Sequence, residues 1–158
     1  MKKLILAIVL LLSHALAVAQ VKPDDIVGRW ITADKSVIVQ IIKAEGKYIG
    51  KIVWGKQKNR KDHKNPDETK RSKYLLNSLI LTNFDHNGEN GYTNGEIYDP
   101  NSGKTYSSNL ELVSHNKLKV QGYVGLTMFG RSSIWTRVVH KKAATQKTIP
   151  KKPIVAKK

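Results

Sequence analysis

Three groups of residues in this 158-residue chain combine types and spacings that could do chemistry. In the first, Asp85-x-Asn87-x-Glu89, with Glu96 eleven residues after Asp85, sets side-chain oxygens at the spacing of a calcium-binding helix–loop–helix motif. Such a loop needs glycine at its sixth position for a sharp turn. Asn90 stands there and Gly91 arrives one residue late, so a polar hairpin loop is expected and calcium is not. In the second, His63, His86 and His115 fall in loops between apolar segments, and His140 follows the last of them. No pair has the spacing that puts two imidazoles on one helix face for zinc, and the sequence predicts solvated surface histidines. In the third, Asp99 could act as a catalytic carboxylate. It opens Asp99-Pro100-Asn101-Ser102-Gly103, however, which reads as a tight turn: an Asx acceptor, a proline that fixes φ, and a glycine free to take positive φ. There is no Gly-x-Ser-x-Gly elbow and no glycine-rich phosphate loop. The chain has no cysteine, which removes thiol redox chemistry, thiolate metal sites and disulfides. The expectation is a protein without catalysis, cofactor or metal.

What remains is binding chemistry of two kinds. Tyr48, Trp54, Tyr98, Tyr106 and Tyr123 recur at strand-like positions, and Met128 and Phe129 tip a loop. Together they could line the mouth of a pocket for one small apolar or amphipathic ligand. The second kind is polycationic. Lys56, Lys58, Arg60, Lys61 and Lys64 crowd one loop, and Lys141, Lys142, Lys151 and Lys152 lie near the C-terminus. Such segments are drawn to anionic lipid, lipopolysaccharide or acidic wall polymer by roughly 1 kcal/mol per lysine near the surface.

The elements that must position these residues are short strands. From Ile26 to Val139 eight segments alternate or run apolar, with turn residues between them, which predicts an all-β sandwich or barrel. The expected strands are Ile26–Ile31, Ser36–Lys43, Lys47–Trp54, Tyr74–Phe84, Tyr92–Tyr98, Lys104–Val113, Lys117–Val124 and Arg131–Val139. Leu75, Leu76, Leu79, Ile80 and Leu81 are expected in the core, and a helix over Lys73–Leu81 is the competing reading of those leucines. Gly55 to Lys73 breaks the pattern with eight basic residues against three acids, and predicts a long solvated loop. Gly125–Gly130 predicts another loop. An eight-stranded barrel is either filled by its own side chains or just wide enough for one small ligand.

Both ends of the chain have a different character. Lys2-Lys3, the apolar run Leu4–Leu12 and the small residues Ala17-Val18-Ala19 read as a secretory signal peptide over residues 1–19. The run is too short for a transmembrane helix, which needs about 20 apolar residues. The mature domain is expected at 20–139, exported to the periplasm or beyond. The formal charge is +16, and +14 without Lys2 and Lys3; seven lysines after Val139, with no acid among them, carry half of the latter. Residues 140–158 therefore read as a disordered lysine-rich tail. Such charge suits nucleic acid, but export argues against that partner.

Several of these pieces resemble a known family. Gly28-Arg29-Trp30 is similar to the Gly-x-Trp signature on the first strand of lipocalins and related calycins. Ile97-Tyr98-Asp99-Pro100 with Gly103-Lys104-Thr105-Tyr106, the closing Trp135-Thr136-Arg137, Tyr48-x-Gly50-Lys51-Ile52-Val53-Trp54 and Asn65-Pro66-Asp67 all resemble domain-of-unknown-function family 2147. That family comprises secreted bacterial proteins with a lipocalin-like barrel and no assigned activity. The resemblance spans Ile26 to Val138 and does not explain the lysine tail. It implies an antiparallel up-and-down barrel. It also implies a structural plug in which Arg137, on the last strand, covers Trp30 while Gly28 allows close approach. A guanidinium over an indole gains about 0.5–2 kcal/mol.

Overall fold

The computed structural model describes the backbone of residues 21–124 and 127–139, and their side chains except those of 124–129. The expected signal segment 1–19 and lysine-rich tail 140–158, with Lys141, Lys142, Lys151 and Lys152, lie outside the described residues, as does the Phe129 side chain. Eight strands follow in sequence order: β1 (Gly28–Ile31), β2 (Val37–Ala44), β3 (Lys47–Gly55), β4 (Leu79–His86), β5 (Gly91–Asp99), β6 (Lys104–Ser114), β7 (Lys117–Val124) and β8 (Thr127–Arg137). Each pairs antiparallel with the next, and β8 returns to β1, closing an up-and-down barrel. The β1–β8 seam is short, joined by the pairs Trp30–Arg137 and Ile31–Thr136.

Period-two alternation fills the interior, as it must when one face of every strand turns inward. Trp30, Val39, Ile41, Tyr48, Phe84, Tyr92, Leu110 and Leu118 are almost wholly buried. Ser108 is the buried polar exception on β6, and its hydroxyl donates to the Gln121 carbonyl at 2.8 Å.

Several expected boundaries move. Ile26 belongs not to β1 but to a short 3-10 helix, Pro23–Ile26, which the proline at its first position favours. β4 starts at Leu79 rather than Tyr74. Residues 74–78 turn instead, with Asn77 at φ 71° and the Ser78 amide bonded to the Leu75 carbonyl, so neither strand nor helix forms there. Leu75 reaches the core as expected, but Leu76 and Leu79 stay exposed. β8 starts at Thr127 rather than Arg131, so Met128 and Phe129 lie within a strand. His86 closes β4 instead of sitting in the following loop.

One end of the barrel is sealed. The 3-10 helix lies against it: Tyr92 donates its hydroxyl to the Pro23 carbonyl at 2.8 Å, and Tyr48 donates to Asp24 at 2.6 Å. The Trp30 indole donates to the Ile26 carbonyl at 2.8 Å. The Arg137 guanidinium stands 4.1 Å from the centre of the Trp30 ring. It also donates to three backbone carbonyls, those of His115, Val27 and Asp25. Gly28, at φ 146°, permits this stack, because a β-carbon there would sit 2.5 Å from the guanidinium nitrogen.

Candidate functional site

The strand directions put the opposite end at the start of β2, the end of β3 and the β5–β6 turn. Residues 56–78 join β3 to β4 at that end. The stretch read as a solvated loop is folded back on itself and fixed to the sheet. Lys61 and Tyr74 form an isolated antiparallel bridge, and the Leu75 amide bonds to the Arg60 carbonyl at 2.9 Å. Leu75 then enters the core.

Three contacts clamp this loop to the barrel. Asp62 is only 4% exposed despite its charge type, and accepts hydrogen bonds from the Tyr98 hydroxyl and the Asn65 amide, both at 2.7 Å. Arg60 donates to the Asn101 side chain at 2.8 Å. The Lys64 carbonyl lies over Gly103, where φ is +72° and a β-carbon would come within 1.9 Å of the carbonyl oxygen. Asn65-Pro66-Asp67 and Tyr98-Asp99-Pro100 with Gly103, separate motifs in the sequence, thus meet in one joint.

Beside this joint is a cleft of about 460 Å³. That is within the size of ordinary ligand sites, about 300–1,000 Å³. Val37, Ile52, Trp54, Leu75 and Leu76 supply apolar walls, and Lys56, Lys58 and Arg60 are also on the lining. Trp54 and Leu76 are 40% and 44% exposed, more than their apolar surface favours. Asp34 is the acid on the lining, and hydrogen bonds from Thr32 and Ser36 hold its carboxyl below the usual carboxylate range. A second cleft, about 670 Å³, runs between the loop and Tyr98. It is the weaker candidate, because Asp62, Asn65, Asp67 and Lys70 on its walls already satisfy one another or Tyr98.

The aromatic set expected to share one mouth is dispersed. Trp54 lines the cleft, and Tyr106 lies at the same end, half-buried, with its hydroxyl 3.4 Å from Ser102. Tyr48 does not stand at a mouth: it is buried at the sealed end, edge-on to Tyr92 at 5.1 Å. Tyr98 follows the inward Ile97 and so takes the outer face, where it holds Asp62. Tyr123 likewise alternates with the inward Val120 and Gly122 and pairs with Ser107 on the outside. Sequence alternation alone could have separated Tyr98 and Tyr123 from the interior set. The contribution of Leu76 had no sequence signal, because a turn rather than a strand exposes it.

Of the basic residues, Lys56, Lys58 and Lys64 are exposed, Arg60 is tied to Asn101, and Lys61 lies 5.8 Å over the Tyr74 ring. The calcium-like stretch is a hairpin: Asn87 accepts from the Glu89 and Gly91 amides, and Asp85 is bound to Lys47. Among the described residues, no three histidine, aspartate or glutamate side chains converge as a metal site would need.

The clamp gives the fold a pH dependence. Burial first, then Asp62, pushes the Tyr98 hydroxyl up to about 12, and burial raises Tyr48 and Tyr92 in the same direction. A tyrosine raised above its unfolded value of about 10 contributes stability that is full below that pH and declines above it. The urea midpoint should therefore hold to about pH 10 and fall between about 10 and 12. Tyr98→Phe should shallow that fall and lower stability at neutral pH by about 1–3 kcal/mol, because Asp62 loses a buried donor. An unchanged alkaline slope would contradict this assignment.

A closed eight-stranded up-and-down barrel with a tryptophan near its start and an arginine across it is a lipocalin-like barrel. Over residues 28–137 the chain matches the family described as "Uncharacterized protein conserved in bacteria (DUF2147)", and it belongs to that family. Among solved structures it is similar to "Protein HP1028 from the human pathogen Helicobacter pylori belongs to the lipocalin family". The identity is 22%, the TM-score 0.67, and the match covers 72% of this chain and 82% of that one; this likeness concerns the fold. No curated protein matches the chain.

Proposed function

We propose that the protein is an exported, non-catalytic binding module of the cell envelope that holds a small apolar or amphipathic ligand in the cleft at the end of its barrel opposite the Trp30 plug. The observation that carries this reading is the cleft walled by Val37, Ile52, Trp54 and Leu76. It combines the exposed apolar side chains of Trp54 and Leu76, adequate volume and a loop tied to the sheet. A fluorescent fatty-acid probe titrated into delipidated protein tests it. Saturable binding is expected, weakened about tenfold in Trp54→Ala, since burying an aromatic ring contributes about 1.5–3 kcal/mol. Absence of saturable binding would remove the reading. Export itself is tested by N-terminal sequencing of protein recovered from the periplasm or medium, with cleavage expected near Ala19.

The exposed cations Lys56, Lys58 and Lys64 favour a second reading, attachment to an anionic envelope lipid or polymer through the basic loop and the C-terminal lysines. Co-sedimentation with anionic vesicles should then be lost on deletion of residues 140–158, or at high salt, where screening shortens to about 3 Å.

A further inference from the structure

The charges round the cleft are lopsided. Three cations from the segment after β3, Lys56, Lys58 and Arg60, line it against one acid, Asp34. Arg60 is also preorganised. Its guanidinium is held at one nitrogen by Asn101, which itself belongs to the β5–β6 turn that clamps the loop. Trp54 and Leu76 expose apolar surface within the same cleft. One cavity therefore offers apolar surface and three cations on its lining, of which Arg60 is held in place.

We infer that the cleft takes a single-chain amphiphile with an anionic head group. Its chain lies against Val37, Trp54 and Leu76, and its carboxylate or phosphate is held by Lys56, Lys58 and Arg60. This rests on the small-ligand reading above and narrows it: a neutral alcohol or a cationic surfactant of equal chain length fits the wall but not the rim. Arg60 can bind an oxyanion through the guanidinium nitrogens that Asn101 leaves free, and the two lysines add point charges. The single ionised Asp34 attracts a cationic head less than the three cations attract an anionic one, and those cations repel the cationic head.

Trp54 makes the site observable, because Trp30 and Trp135 are buried in the core. The full chain, delipidated, is titrated with dodecanoate, dodecyl phosphate, dodecanol and dodecyltrimethylammonium below their micellar concentrations, following the tryptophan emission maximum. The expected result is a saturable blue shift with both anions at about tenfold lower Kd than with dodecanol, and weaker binding still of the cation. Lys56→Glu with Lys58→Glu, both exposed and remote from the core, should bring the anions to the level of dodecanol while leaving the thermal midpoint unchanged. Trp54→Phe should abolish the shift. Equal affinity for dodecanol and the anions would overturn the head-group site while leaving the small-ligand reading standing. A shift that persists in Trp54→Phe would place the ligand elsewhere and overturn the site. No shift with any amphiphile, even if anionic vesicles co-sediment, would overturn both.

Discussion

Trp30→Ala should lower the unfolding free energy by about 3–5 kcal/mol, against a total of about 5–15 kcal/mol for a domain of ordinary stability. The indole is wholly buried, so its removal leaves a cavity at the sealed end. It also loses the hydrogen bond to the Ile26 carbonyl, which fixes the 3-10 helix. Arg137→Ala should cost about 2–4 kcal/mol, since one guanidinium serves the indole face and three backbone carbonyls. Arg137→Lys should recover only part of this, because an ammonium cannot present the planar fork. Denaturant unfolding of the two single variants and the double variant closes a cycle. A coupling of about 0.5–2 kcal/mol is expected between Trp30 and Arg137. Strict additivity would mean that the stack contributes nothing and that each residue acts only through its own burial and hydrogen bonds.

The second large effect is local. Gly103→Ala puts a methyl where the Lys64 carbonyl now lies, at a φ of +72° that side chains rarely adopt. A backbone oxygen cannot yield as a flexible side chain would, so the loop must lift from the β5–β6 turn. Arg60–Asn101 and Asp62–Tyr98 then lose their alignment. The loop carries eight lysines and arginines between Gly55 and Lys73, so trypsin reads its detachment directly. Cleavage within residues 56–73 should accelerate at least about tenfold, the equivalent of about 1.4 kcal/mol of local opening. The amides of β1, β2 and β8 should keep their hydrogen-exchange protection. If cleavage stays at the wild-type rate, Gly103 is not the point that holds the loop.

The strand count was legible because period-two alternation and turn chemistry are local signals, whereas the up-and-down order and the Trp30–Arg137 pair followed from the resemblance to the lipocalin-like family. Val37, Val39 and Ile41 announce the inward face of β2 without reference to anything distant. The 56–78 segment was not legible. Its composition is that of a solvated loop, and the residues that organise it, Tyr98, Asn101 and Gly103, lie far along the chain. Tyr98 illustrates the gap: its aromatic type suggested a mouth, whereas its hydroxyl serves Asp62. The cleft depends on the same non-local joint. Trp54 was legible as a candidate, but the leucine turn that completes the wall was misassigned to β4, because apolar content cannot distinguish a strand from a turn that Asn77 bends.

The seam between β1 and β8 has a kinetic consequence. Its ladder is the shortest way round the ring, and Arg137 reaches a carbonyl 110 residues back along the chain. Contacts of such sequence separation form late, since the intervening chain must first be ordered. Until that seam closes, β1 and β8 are the two unpaired edges of the sheet. Exposed edges of this kind template pairing with other chains, so closing the seam also removes the barrel's exposure to edge-to-edge association.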